Sequence, residues 1–90
     1  MSLYLIATPI GNRRDITLRA LEKLFEVEVL ACEDTRKTLQ LLNFYKQEFA
    51  QFLGENKIFP RLISYFDHNA EERSEQLVRL MEEGMSVGLV

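Results

Sequence analysis

Short apolar runs alternate along this chain with stretches in which apolar residues recur every three or four positions. Four runs are apolar throughout or nearly so, at residues 3–7, 27–33, 62–66 and 87–90. Such runs are typical of strands in a parallel sheet that is covered on both faces. The first run, Leu3-Tyr4-Leu5-Ile6-Ala7, is therefore predicted to be buried from both sides.

The intervening stretches have the periodicity of amphipathic helices. The first helix is predicted over residues 15–26 with Asp15 as its N-cap, and the second from Asp34 or Thr35 to about Leu53. Their buried stripes are predicted to contain Leu18, Leu21, Leu24 and Phe25 in the first helix, and Leu39 and Leu42 in the second.

The third helix is predicted to begin at Asn69, with Glu72 completing a capping box. Gly54 and Gly84 follow the second and third helices, where glycine commonly ends a helix. The order β-α-β-α-β-α-β predicts an α/β domain: a parallel sheet with right-handed crossovers and helices on both faces, as in Rossmann-like three-layer folds.

Composition agrees with one folded domain and removes several classes of protein. The chain has 90 residues, 47% of them hydrophobic, and a formal net charge of -3, which is unlike a disordered or repetitive chain. Cys32 is the single cysteine, so no internal disulfide is expected. No signal peptide or membrane-spanning run is evident, and we therefore expect a cytoplasmic protein with no membrane partner.

Charge is distributed unevenly. Residues 1–66 carry nine Lys and Arg against eight Asp and Glu, whereas residues 67–90 carry two against six. The acidic total argues against a dedicated nucleic-acid-binding domain. A local basic patch could still be formed by Arg13, Arg14, Arg19, Arg36 and Lys37.

In open parallel sheets, ligands bind beyond the carboxyl ends of the strands. That rule selects residues 8–12, 33–36 and 67–69. In the first segment, Pro9 and Gly11 allow either an ordinary strand-to-helix turn or close approach of a ligand to the backbone.

The second segment, Glu33-Asp34-Thr35-Arg36, carries the densest candidate chemistry. It could be a capped helix start in which Glu33 pairs with Arg36. Alternatively, a carboxylate could orient a hydroxyl group or accept its proton while Arg36 binds phosphate. His68 is the only histidine, so no histidine metal cluster is expected, and Cys32 is predicted to be a buried small apolar residue.

The motifs together resemble the amino-terminal part of the tetrapyrrole methylase superfamily, in particular the ribosomal RNA small subunit methyltransferase I family. The matching stretches are residues 3–12, 15–21, 31–36, 62–65 and 68–69, which are Leu-Tyr-Leu-Ile-Ala-Thr-Pro-Ile-Gly-Asn, Asp-Ile-Thr-Leu-Arg-Ala-Leu, Ala-Cys-Glu-Asp-Thr-Arg, Leu-Ile-Ser-Tyr and His-Asn. The resemblance covers almost the whole chain in the same order.

This resemblance implies transfer of a methyl group from S-adenosylmethionine to the 2′-hydroxyl of a cytidine in small-subunit rRNA, by a two-domain homodimer. Family chains continue past the strand at residues 87–90 into a Ser-Asp-Ala-Gly-Thr-Pro segment that helps form the cofactor pocket. We therefore expect residues 1–90 to be an amino-terminal α/β domain, truncated before the rest of that pocket and the carboxyl-terminal domain. By itself it is expected to be inactive.

Site roles follow from the same resemblance. The catalytic candidates are Glu33, Asp34 and Arg36; the cofactor-binding candidates are Thr8, Pro9, Ile10, Gly11 and Asn12; and the substrate-binding candidates are Arg13, Arg14, Thr35, His68 and Asn69. Two departures from the family pattern are the basic Arg13, where an apolar residue is usual, and a longer connection at residues 46–60.

Two alternatives stay open at this point. A tetrapyrrole precursor methylase of the same superfamily would use the same cofactor on a porphyrinoid. A non-catalytic regulatory domain of the receiver type would need an acidic pair after the first strand, where this chain has Ala7-Thr8-Pro9.

Overall fold

One parallel sheet of four strands organises the part of the chain that the computed structural model describes, residues 2–54 and 57–90. The strands are β1 (Ser2–Leu5), β2 (Val29–Cys32), β3 (Arg61–Ser64) and β4 (Ser86–Leu89). Their order is β1-β4-β2-β3, so the last strand along the chain lies between the first two. In register, Leu3 pairs with Val87, which also pairs with Val29.

Helices cover both faces of this sheet. They are α1 (Leu18–Glu26), α2 (Thr35–Glu48), α3 (Ala50–Leu53) and α4 (Ala70–Glu82), with a short 3-10 turn at Arg13–Asp15. The first three pack into one buried cluster with Leu30, and α4 packs into another with Ala31. Adjacent strand residues point to opposite faces, which confirms the predicted three-layer α/β class. In the described residues, no helix is long and apolar enough to cross a membrane.

Right-handed crossovers explain which helix covers which face. The path from β1 through β2 to β3 moves across the sheet in one direction, and the return from β3 to β4 moves in the other. A right-handed connection places helices on opposite faces for opposite directions of travel. Consequently α1, α2 and α3 share one face and α4 covers the other.

Gly88 packs tightly at the central position of β4. A Cβ atom added there would lie 2.8 Å from Ile6 Cδ1, 3.0 Å from Leu30 Cδ1 and 3.2 Å from Val27 Cγ2. Side chains from both neighbouring segments therefore close over the glycine. The strand order β1-β4-β2-β3 differs from the Rossmann order, in which the first two strands are adjacent. It also differs from the receiver order, in which the first strand lies between the second and third.

The prediction that β1 is buried from both sides is wrong. Leu5 is 78% exposed, and Leu3 is also exposed. Leu3 and Leu5 are in register with Val87 and Leu89, on the face that α4 covers. The single helix on that face packs over β2, β3 and β4, and a cavity lined by Leu3, Leu77 and Met81 lies between it and the edge strand β1.

The first helix begins later than predicted. Thr17 is its N-cap, with Oγ1 accepting a hydrogen bond from Ala20 N, whereas Asp15 ends the preceding 3-10 turn. Leu18 is consequently on the solvent side of the first turn and is 61% exposed, so its assignment to the buried stripe is wrong. Leu21, Leu24 and Phe25 are buried as predicted.

The second helix is shorter than predicted, because the chain bends at Phe49 before the separate turn of α3. Its buried positions are Thr38, Leu42 and Tyr45, and Leu39 is exposed, contrary to the prediction. The turn predicted at Gly54 is confirmed by a φ of 90°. The long connection at residues 46–60 includes residues 55 and 56, which lie outside the described residues.

A pair of leucines on α1 provides a matched test of this packing. Leu24→Ala should lower the free energy of unfolding by about 2–5 kcal/mol, because Leu24 is fully buried and its truncation leaves a cavity. Leu18→Ala, the same change on the same helix, should cost no more than about 0.5 kcal/mol. Urea unfolding measures both. Equal losses for the two variants would contradict the observed start and orientation of α1.

Candidate functional site

Thr8 and residues 33–36, from two of the three segments selected by the strand-end rule, meet at one cavity, and residues 67–69 do not line it. It has a volume of about 710 Å³ and lies at the carboxyl edge of the sheet. Thr8 contributes from beyond β1, residues 32–38 from the end of β2 and the start of α2, Ser64 and Phe66 from β3 and beyond, and Val90 from beyond β4. Volumes of this size are common in small-molecule sites.

Backbone hydrogen bonds hold these segments together just beyond the regular strands. Ile6 N donates to Leu89 O at 2.9 Å, Val90 N to Ala31 O at 3.1 Å, and Tyr65 N to Cys32 O at 2.7 Å. The parallel ladder is thus continued where the polar residues begin. The cavity wall is fixed by the sheet itself, with α2 closing one side through Leu41.

Asp34 caps the amino-terminal end of α2, which is one of the two roles that the sequence left open. Its Oδ1 accepts hydrogen bonds from Arg36 N at 3.0 Å and Lys37 N at 3.3 Å, which confirms it as the N-cap of α2. Both bonds use the same oxygen, and no hydrogen bond or ion pair within residues 2–54 and 57–90 uses Oδ2. One carboxylate oxygen of a structural cap therefore remains available at the cavity.

Glu33 and Arg36 do not form the ion pair considered from the sequence. The two ion pairs within the described residues are Arg14–Glu48 and Lys23–Glu26. Glu33, Arg36 and Lys37 are exposed at the cavity. Two cations and the Glu33 carboxylate therefore line the same opening. Such a mixture suits a ligand that carries both phosphate and hydroxyl or amino groups.

Cys32 and Thr38 form the buried side of the cavity. Cys32 is 1% exposed, as predicted, and its thiol lies 3.8 Å from the carbonyl oxygen of Ile63. Burial raises the pKa of the Cys32 thiol, a hydrogen bond with Thr38 opposes this, and the Asp34 carboxylate adds to it. The thiol is therefore protonated near neutral pH and is not an activated nucleophile.

The residues after Thr8 leave the cavity. Ile10 is fully exposed, Gly11 has a φ of 94°, and Asn12 Oδ1 accepts a hydrogen bond from Arg14 N at 2.9 Å. Asn12 thereby caps the 3-10 turn. Of the candidate segment 8–12, only Thr8 lines the cavity. The other four residues belong to the loop that leads from β1 toward α1.

Asn69 is turned toward the protein. Its Nδ2 donates to Ser64 Oγ at 3.3 Å and to Ser64 O at 3.4 Å, and its Oδ1 accepts from Phe66 N at 2.9 Å. The predicted capping box is wrong, because a side chain committed to the turn cannot also cap α4. His68 is exposed beside the Phe66 ring, with 6.0 Å between centroids.

Sequence reasoning missed several residues of the site. Lys37 and Thr38 lie one to two positions beyond the quoted motif, on the first turn of α2, and helical spacing from Asp34 could have found Thr38. Ser64 and Phe66 fall within the third strand predicted over residues 62–66, with Phe66 as its last residue. That strand ends at Ser64, two residues earlier than predicted, which brings both residues to the edge.

The fold defines an open parallel α/β domain, and its cavity lies at the carboxyl edge of the sheet, where domains of this class bind ligands. The chain belongs to the tetrapyrrole (corrin/porphyrin) methylase family, whose sequence profile matches residues 2–90. Membership of this family removes the receiver alternative, which the strand order also disfavours.

Curated relatives are similar over nearly the whole chain. Proteins named ribosomal RNA small subunit methyltransferase I are 49% identical in Micromonospora olivasterospora, 43% in Escherichia coli O157:H7 and 39% in Thermotoga maritima, over 98–99% of this chain. The chain spans 25%, 27% and 35% of their respective lengths.

The buried thiol predicts a pH dependence of stability. Below the ordinary pKa of 9.0, the thiol is protonated in both the folded and the unfolded chain and has no effect. Above it, the unfolded thiol loses its proton first, so the free energy of unfolding should fall until the folded thiol also ionises. Urea unfolding between about pH 8 and about pH 10 should show this fall. The fall should be smaller in Cys32→Ala, and equal slopes for the two proteins would contradict the burial argument.

Proposed function

We propose that this chain forms the amino-terminal, ligand-binding part of an S-adenosylmethionine-dependent methyltransferase that acts on small-subunit rRNA, at the 2′-hydroxyl of a cytidine. The observation that carries the proposal is the cavity lined by Thr8, residues 33–38 and Ser64, in a chain of this family. The names of its relatives support the rRNA substrate.

The cavity has the groups that S-adenosylmethionine would need. Leu41, Phe66 and Val90 offer apolar surface for an adenine ring, and the Thr8 and Ser64 hydroxyls offer partners for ribose or carboxylate oxygens. The unused oxygen of Asp34 could accept from an amino or hydroxyl group. When bound, the cofactor would supply an electrophilic methyl group.

The residues of the chain would position the nucleotide. Glu33 or Asp34 would orient the ribose hydroxyl and accept its proton, and Arg36 would bind a phosphate of the RNA backbone. Thr35, Arg13 and Arg14 would add substrate contacts, with His68 and Asn69 at the outer rim. Pro9, Ile10, Gly11 and Asn12 would form the floor of a cleft that the rest of the enzyme completes.

A complete enzyme would be larger than this chain. The relatives are about three to four times as long, which supports the proposal that residues 1–90 are one domain of a longer chain. The proposal includes a two-domain homodimer, and on it residues 1–90 alone bind S-adenosylmethionine weakly or not at all and transfer no methyl group. The activity test therefore joins residues 1–90 to the rest of a relative's chain.

Arg36→Ala tests the phosphate role in a graft in which this chain replaces the matching segment of the Escherichia coli relative. Loss of a charged hydrogen bond to phosphate should lower kcat/KM for stripped small ribosomal subunits by about 10- to 100-fold. Arg79→Ala, which removes an exposed arginine from α4 on the other side of the molecule, should leave it unchanged. Methyl transfer from labelled cofactor is the measurement.

The same assay separates the substrate classes. A graft that methylates a uroporphyrinogen-type substrate and leaves stripped subunits unmodified would contradict the RNA proposal and favour a tetrapyrrole methylase. An Arg36→Ala graft with unchanged kcat/KM on subunits would leave the RNA proposal standing and remove the role of Arg36.

A further inference from the structure

The 3-10 turn after β1 is docked on the middle of α2 by two neighbouring aromatic residues. Tyr45 OH donates a hydrogen bond to the backbone carbonyl oxygen of Arg13 at 2.7 Å. The Arg13 guanidinium carbon lies 5.4 Å from the centroid of the Phe44 ring, within the range of a cation–π contact. One pair of side chains thus fixes both the backbone and the cation of Arg13.

The Tyr45 hydroxyl has a specific purpose at this position. Tyr45 is fully buried, and its ring packs in the main cluster with Leu42 and Leu53. A phenylalanine would supply the same packing, so the hydroxyl adds only its bond to Arg13, 32 residues away along the chain. A buried hydroxyl requires such a partner, and this partner belongs to an exposed, basic turn.

Arg13 is the uncompensated cation of that turn. Its neighbour Arg14 forms an ion pair with Glu48, whereas neither ion pair in the described ranges involves Arg13. The side chain of Arg13 is exposed and is held against the Phe44 ring. Its charge is therefore presented to solvent beside the Phe44 ring.

That place is close to the cavity. Leu41 lines the cavity, and Phe44 and Tyr45 lie one helical turn farther along α2. Arg36 and Lys37 are exposed on the first turn of the same helix, and the 1.5 Å rise per residue places them about 11–12 Å from Phe44 along the helix axis. A polyanionic strand that leaves the cavity along α2 would first meet Arg36 and Lys37 and then Arg13.

We propose that Tyr45 is a positioning residue for RNA binding, which holds Arg13 over Phe44 so that its guanidinium contacts a backbone phosphate of the substrate. The inference rests on the proposed function and adds to it the device that places one phosphate contact. Phe44 supports the cation, and Tyr45 fixes the turn that carries it.

Tyr45→Phe in the graft removes the hydroxyl and keeps the ring. The measurement is the affinity for a short labelled oligocytidine as a function of salt concentration. Loss of one phosphate contact on single-stranded RNA should make the slope of log K against log salt shallower by about 0.7. Arg13→Ala should give the same change, and the double variant no further change.

Tyr65→Phe is the matched control. Its hydroxyl bonds Ser74 Oγ at 2.9 Å, at the β3–α4 side of the molecule, so this variant loses a hydroxyl of the same kind away from the turn. It should lose similar thermal stability and keep the wild-type salt slope. If Tyr45→Phe fails to fold, Phe44→Leu removes the ring beneath Arg13 and should give the same shallower slope.

The possible outcomes distinguish the positioning role of Tyr45 from the proposed function. A graft that methylates small subunits while Tyr45→Phe and Phe44→Leu keep the wild-type slope would overturn the positioning role and leave the proposed function intact. A graft that neither binds RNA nor methylates subunits would overturn both. A shallower slope in Tyr65→Phe as well would also overturn the inference, because the effect would then be one of general stability.

Discussion

The insertion of β4 between β1 and β2 is the constraint on which the rest of the structure depends. In the described residues β1 pairs with β4 and with no other strand, so the amino-terminal segment joins the sheet through residues more than eighty positions later. Gly88 fits this position closely, because methyl groups of Ile6, Leu30 and Val27 lie where its side chain would be. The core packing and the placement of Thr8 follow from the strand order.

The cavity is a direct consequence of this order. Parallel strands end at one edge, and the bonds from Ile6 N to Leu89 O and from Val90 N to Ala31 O bring three strand ends together there. The second helix then serves two purposes along its length. Its first turn, capped by Asp34, forms one wall of the cavity, and its third turn holds the basic turn after β1 through Phe44 and Tyr45.

Local chemistry made much of this predictable from the sequence. The four apolar runs, the Asp34 cap, the glycine turns and the buried Cys32 each depend on neighbours a few residues away. The prediction for Leu18 failed because Leu18 is the first residue of α1, directly after the N-cap Thr17, and its side chain lies on the solvent side of that first turn. The prediction that Leu5 is buried failed because burial of an edge strand depends on which helices cover it. The bond of Tyr45 to Arg13 joins segments 32 residues apart, whose meeting no periodicity encodes.

Nuclear Overhauser effects from Gly88 in the isotope-labelled chain test the central claim most directly. Gly88 is in register with Tyr4 on one side and with Leu30 on the other. The account predicts cross-strand effects from the Gly88 backbone protons to both strands at once, and none directly between β1 and β2. Direct effects between β1 and β2, with Gly88 contacting a single strand, would contradict it.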